Sequence, residues 1–113
     1  MALSIAVVDA APAQQLVVAV WTDELMFQRR ETVQVHVEVG AFPDMLPGAS
    51  VHVEAVDPRG RIRFRGDGIT DRNGEVSFRF RPSPRTGEWT VTATASLAGY
   101  EDGSDATTFD VVR

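Results

Sequence analysis

Four groups of side chains in this sequence have the types and spacing to do chemistry: His36 and His52; Arg61, Arg63, Arg65, Arg79 and Arg81; the carboxylates around Asp71 and Glu101; and the aromatics Trp21, Trp89 and Tyr100. Paired imidazoles invite a zinc site. Arginines two positions apart line one side of a strand and would offer forked donors to an anionic polysaccharide or an acidic neighbouring module. Carboxylates gathered in neighbouring loops are the ligands of a calcium site, and exposed aromatic rings stack on sugars.

Whether any of these groups converge depends on the elements that carry them, and period-two alternation dominates the chain. Glu31 to Val39 sets Val33, Val35, Val37 and Val39 against Gln34, His36 and Glu38. Ser50 to Val56, Arg61 to Arg65, Glu75 to Arg81, Trp89 to Leu97 and Ala106 to Val112 alternate in the same way, and Gln15 to Thr22 supplies a first strand. The inward positions on this reading include Ile62, Phe64, Val76, Phe78, Phe80, Trp89, Val91, Phe109 and Val111. Turn chemistry lies between the strands: Asp57-Pro58-Arg59-Gly60 suits a type I turn, and Asp71-Arg72-Asn73-Gly74 a tight turn ending in residues that tolerate positive φ. Seven strands at this spacing predict an all-β, antiparallel sandwich. Residues 15–113 form the domain, and residues 1–14 are a linker or an extra edge strand, since Pro12 breaks any strand continuing into the core. Glu24 to Arg29 has room for a single helical turn.

Composition removes several classes of function. The chain of 113 residues has no cysteine and no lysine, so disulfides, thiol nucleophiles, Schiff-base chemistry and lysine–asparagine crosslinks are excluded. A net charge of −5 opposes nucleic-acid binding, and no apolar run is long enough to span a bilayer as a helix. The N-terminal stretch lacks the positive region of a signal peptide.

On a sandwich the candidate groups separate. The strands of His36 and His52 belong to opposite sheets, which points the rings outward on opposite faces, and no metal site is expected. A calcium loop of the EF-hand type counted from Asp71 meets Val76 at its sixth position and Pro82 at its twelfth, where glycine and glutamate are required; a calcium ion bridging this loop and the Glu101, Asp102, Asp105 loop stays open. The arginine stripe should face Glu54, Glu38 or solvent, or an anionic partner, because like charges opposed across a strand pair destabilise it. Trp89 is on the inward register. Trp21 is in a strand apolar on both sides, the best hint of an interface in the sequence. No Gly-x-Ser-x-Gly elbow occurs, and a catalytic set is not expected.

From Leu16 onward the chain resembles the immunoglobulin-like modules of bacterial and archaeal surface proteins, of the invasin and intimin type, and the related macroglobulin-like domains. The residues that carry the resemblance are Thr22-Asp23, Phe27, Glu31-Thr32-Val33, Pro47-Gly48-Ala49-Ser50-Val51, Asp57-Pro58-Arg59-Gly60, Thr70-Asp71-Arg72-Asn73-Gly74 and Gly87-Glu88-Trp89-Thr90-Val91. Arg29-Arg30 stands where such modules usually have Pro-Gly. The resemblance implies a seven-stranded immunoglobulin-like sandwich, of the fibronectin III or macroglobulin-like kind. It also implies a non-enzymatic, cofactor-free role as a structural or adhesion unit of a secreted or cell-surface chain, with neighbouring domains of that chain as partners. A carbohydrate- or protein-binding module using Arg61, Arg63, Arg65, Arg79, Arg81 and Trp21 is the alternative, and an accessory β-domain of an extracellular enzyme a further one. No nucleic acid and no membrane insertion are expected.

Overall fold

A computed structural model describes residues 13–82 and 84–113. Nine strands run in chain order: β1 (Val17–Thr22), β2 (Met26–Gln28), β3 (Val33–Ala41), β4 (Asp44–Met45), β5 (Ser50–Val56), β6 (Ile62–Ile69), β7 (Glu75–Phe80), β8 (Gly87–Ser96) and β9 (Gly103–Val112). They form two sheets. In one, β1 flanks β3 on one side while β7 and β4 share its other side; in the other the order is β2-β9-β8-β5-β6. No helix among the described residues is long and apolar enough to cross a membrane.

The alternation read from the sequence is the alternation of burial. Val33, Val35, Val37 and Val39 face Val51, Val53, Val91 and Ala93 across the sandwich, all of them buried. At one end of this layer the rings collect. Trp89 stacks on Phe109 with centroids 5.9 Å apart, Phe27 meets Phe109 edge-on at 5.3 Å, and Phe80 bridges to Phe64 at 4.8 Å.

Two strands lie outside the expected seven. β4 pairs with β3 over only two residues, too short to carry a period. β2 replaces the expected helical turn and pairs parallel to β9, so the sandwich is not wholly antiparallel. Its reason is Phe27: an extended backbone turns this one ring into the core, 2% exposed, while Met26 and Gln28 point out. The chain crosses between sheets just before it, where the Asp23 carboxylate accepts the Gln34 N–H at 3.2 Å. The proposed boundary of the domain at residue 15 is close to the first bridge, Gln15 with Glu101; the linker reading of residues 1–12 lies outside the described residues.

Ile62, expected inside, is 43% exposed. The pairing of β5 with β6 steps from Ala55↔Phe64 to Val56↔Ile62, which leaves Arg63 as an extra residue, a bulge that reverses the facing of what precedes it. Beyond the bulge β6 continues past the expected end at Arg65 through Gly66 and Gly68. A Cβ on Gly66 would sit 2.8 Å from the Phe78 ring, so the glycines are there to let the β7 rings in rather than to turn the chain.

Gly103 is the tightest position of all. A Cβ there would run into the Leu16 carbonyl oxygen, a backbone atom that cannot step aside. Gly103→Ala is therefore expected to push the start of β1 off β9, break the Leu16 N–H to Glu101 carbonyl bond, and cost about 1–3 kcal/mol. Urea unfolding checks this, and a cost below about 0.5 kcal/mol would refute it.

Candidate functional site

The outer face of the five-stranded sheet is built of rows. One row runs Asp67, His52, Thr94, Ser104 across β6, β5, β8 and β9; the next runs Arg65, Glu54, Thr92, Ala106. In the first, the His52 ring is clamped on both sides: Nδ1 is 2.8 Å from Asp67 Oδ1 and Nε2 is 3.0 Å from Glu54 Oε2. Both nitrogens can donate only in the imidazolium form. The Glu54 contact, then the Asp67 contact, raise the His52 pKa above 6.5 against a smaller opposing effect of desolvation. Both ring nitrogens are engaged by carboxylates, and no three metal-binding side chains converge among the described residues. A shallow depression of about 490 Å3, lined by Ser50, His52, Asp67, Thr94 and Asp102, opens beside it.

Because the folded pKa of His52 is raised, its contribution to stability is fully present below 6.5 and is lost as the pH rises through the folded value. The groups are half exposed, so we expect a loss of only a few tenths to about 1 kcal/mol across that interval. His52→Gln should flatten it; melting curves recorded on both sides of the transition decide, and an unchanged slope in the variant would exclude this origin.

The five arginines do not form one stripe. Arg61, Arg63 and Arg65 belong to β6 and its approach, whereas Arg79, in β7, and Arg81, just after it, belong to the other sheet. Arg65 stands opposite Glu54, as expected, with Nε 3.5 Å from Oε2. Arg79 faces Gln34. Arg63 has been turned inward by the bulge.

Its partner is Asp57, which the sequence read only as the first residue of a turn. The Asp57 side chain has no exposed surface. Oδ1 accepts the N–H groups of Arg59 and Arg61 at 2.8 and 3.0 Å, Oδ2 accepts the Arg63 Nε–H at 2.9 Å, and Arg85 Nε lies 3.6 Å away, in ion-pair range but without a hydrogen bond. Burial alone would raise this carboxyl. The Arg63 bond, the two backbone N–H groups and the Arg63 charge outweigh it and hold the pKa at about 2. An aspartate opening a turn, followed by arginines at alternate positions, was the available signal. What it lacked was Arg85, which only the fold brings near.

Asp71 does what its turn requires: Oδ1 accepts the N–H of Asn73 at 2.8 Å and of Glu75 at 3.1 Å. The two histidines lie in different sheets, as expected. On the four-stranded sheet His36 Nδ1 lies 3.3 Å from Ser77 Oγ, and the ring stacks on Trp21 with centroids 5.5 Å apart. No carboxylate among the described residues orients that ring, so the pair lacks the third member of a nucleophilic triad. Trp21 is 42% exposed and shares its face with Val17 at 64%, Met45 at 44% and Phe42 at 86%. Val17, Phe42 and Met45 line an apolar depression of about 210 Å3. β1 is therefore two-sided, as its sequence indicated, with the second side uncovered.

The architecture has solved counterparts. A Yersinia pseudotuberculosis adhesin, InvE, superposes with a TM-score of 0.55 at 14% identity over 84% of this chain and 32% of that one. A CARDB domain of Pyrococcus furiosus, solved with two metal ions, gives 0.55 at 18% identity over 87% of this chain and 88% of that one. The fold is immunoglobulin-like. The sporulation control protein Spo0M of Bacillus subtilis matches at 0.54 and 17% identity over 88% of this chain and 50% of that one. The immunoglobulin-like chain thus spans about a third of the adhesin and half of Spo0M. No family model and no curated protein matches the sequence.

Proposed function

We propose that this immunoglobulin-like domain is a non-enzymatic structural or adhesion module of a longer secreted or cell-surface chain. The observation that supports the reading best is the way its polar groups are used: Asp57, Asp71, His52 and Glu54 are each bound to the domain's own backbone or side chains. A scaffold spends its charged groups in this way, whereas a catalytic site leaves some of them unpartnered and aimed at a cleft. The adhesin likeness fits the same reading. An antibody against this domain is expected to label intact cells that make the native protein; labelling only after lysis would refute the surface assignment.

One observation favours protein contact over a bare spacer: the uncovered apolar face of Val17, Trp21, Phe42 and Met45. On this reading the adjoining module of the same chain covers it. Trp89 is fully buried, so acrylamide quenching reads Trp21. Quenching should fall when the native neighbouring module is present, and equal quenching with and without it would remove this face from the interface. Loss of glycan binding in Arg79→Ala, whose side chain faces only Gln34 across the strand pair, would instead point to the arginines.

A further inference from the structure

We infer that the free edge of β6 is a self-complementary pairing edge, and that its partner is β6 of a second copy of this chain. Thr70 bonds through both its N–H and its carbonyl to the β5 side. By the alternation of an extended strand, the backbone groups of Gly68 and Gly66 also point to β5, and those of Ile69, Asp67 and Arg65 point away from it. Among the described residues β6 ends the sheet, and at eight residues it is a template for another strand unless something blunts it.

The other edges are blunted or unsuited. On β1, Asp105 Oδ2 accepts the Val20 N–H at 2.9 Å and the Glu101 carbonyl accepts that of Leu16. β2 has three residues. β7 is the shorter strand, six residues, and its first residue is tied to Asp71.

On β6 a two-fold operation brings opposite charges together. Centred on Gly66, antiparallel self-pairing sets Arg65 against the second copy's Asp67, and Asp67 against its Arg65. Each of these is a pair whose outward N–H and carbonyl groups exchange hydrogen bonds. On the outer face the rows join, running Thr92, Glu54, Arg65 and then Asp67, His52, Thr94 of the second copy, with charge alternating from Glu54 through Arg65 to the second copy's Asp67. On the inner face Phe64 falls opposite glycine, Gly68, and Gly66 opposite itself, so no bulk opposes the ring. The arrangement is isologous and closes with two copies. Arg65 and Asp67 have the exposure to take a second partner, with side chains 64% and 81% accessible.

Charge reversal tests this register. Equilibrium sedimentation of the intact chain, taken to about 1 mM, is expected to show reversible association from 12.3 kDa to about twice that mass. Asp67→Arg and Arg65→Asp, each alone, oppose like charges and should shift the association at least tenfold to weaker binding. Mixed in equal amounts, the two variants place two carboxylates against two guanidiniums and should recover a dimer containing one of each. The mixture guards against a folding artefact, since a misfolded variant could not be rescued by another. A wild-type chain monomeric throughout would overturn the proposal, and so would a dimer that both single variants leave intact.

Discussion

Trp89→Ala should cost about 3–5 kcal/mol of unfolding free energy, the range for emptying a large aromatic site in a core. Trp89 has no exposed surface, stacks on Phe109 at 5.9 Å and tilts against Phe80 at 6.4 Å. Its walls are strands from both sheets, each fixed by a ladder, so they cannot collapse into the space. Because a domain holds only about 5–15 kcal/mol in total, the variant should remain folded near room temperature yet unfold at a markedly lower urea concentration. A second effect separates packing from polarity. Trp89 Nε1 donates to the Arg85 carbonyl at 3.1 Å. Trp89→Phe keeps most of the ring volume but loses that donor, and should cost about 1–2 kcal/mol. Chemical unfolding followed by circular dichroism reads both, and a Trp89→Ala cost under about 1.5 kcal/mol would mean that Trp89 does not anchor the two sheets.

The core was legible because burial on one face writes a period of two into the sequence, and Val33, Val35, Val37, Val51, Val53, Trp89 and Val91 follow it without interruption. Ser50–Val56 was read to its ends. The turns at Asp57 and Asp71 were legible because their residues act locally, through their own backbone. Features that depend on contacts distant in sequence were not. β2 exists because one ring, Phe27, finds Phe109, and β4 because a turn brings Met45 beside Gly40. The glycines of β6 answer to Val76 and Phe78 across the sandwich and, at Gly66, to the Phe64 ring two positions back in the same strand. Ile62 followed the period correctly and still came out exposed, since a bulge leaves no mark in an alternating pattern.

The candidate site suffers more from the same limit. The sequence left Glu54, Glu38, solvent or an anionic partner opposite the arginines, of which Arg65 meets Glu54. The strand order of a sandwich placed His36 and His52 in opposite sheets, where they lie. Alternation also joined Arg61, Arg63 and Arg65 with Arg79 and Arg81 into one stripe, because period alone cannot say which sheet a strand joins. Trp21 was legible as an anomaly, a strand apolar on both sides, but the exposed Phe42 and Met45 at the Val17 end of that strand come from a hairpin that the period does not reveal.

Asp57→Ala should be the most damaging polar substitution in the chain, lowering the melting temperature by on the order of 10 °C. The carboxylate is enclosed and holds four groups at once: the N–H of Arg59, the N–H of Arg61, the Arg63 guanidinium, and at longer range Arg85. Removing it leaves two turn amides without their acceptor and two cations without a counter-charge, one of them, Arg85 Nε, already buried without a hydrogen bond. Removing Arg63 instead leaves the carboxylate its backbone donors and Arg85. Arg63→Ala should therefore cost less than Asp57→Ala, and the double variant should cost less than the two added together. The same residue sets an acid limit. Its folded pKa of about 2 lies below the ordinary 3.8, so its contribution is complete above 3.8 and is lost as the pH falls from there toward 2. Asp57→Ala should remove that part of the acid transition while leaving the portion near His52 untouched. Arg85 joins this cluster to the core, since its carbonyl receives the Trp89 donor while its guanidinium approaches Asp57. Trp89→Phe and Asp57→Ala should then be non-additive although the residues share no direct bond, and strict additivity would show that the turn and the core respond independently.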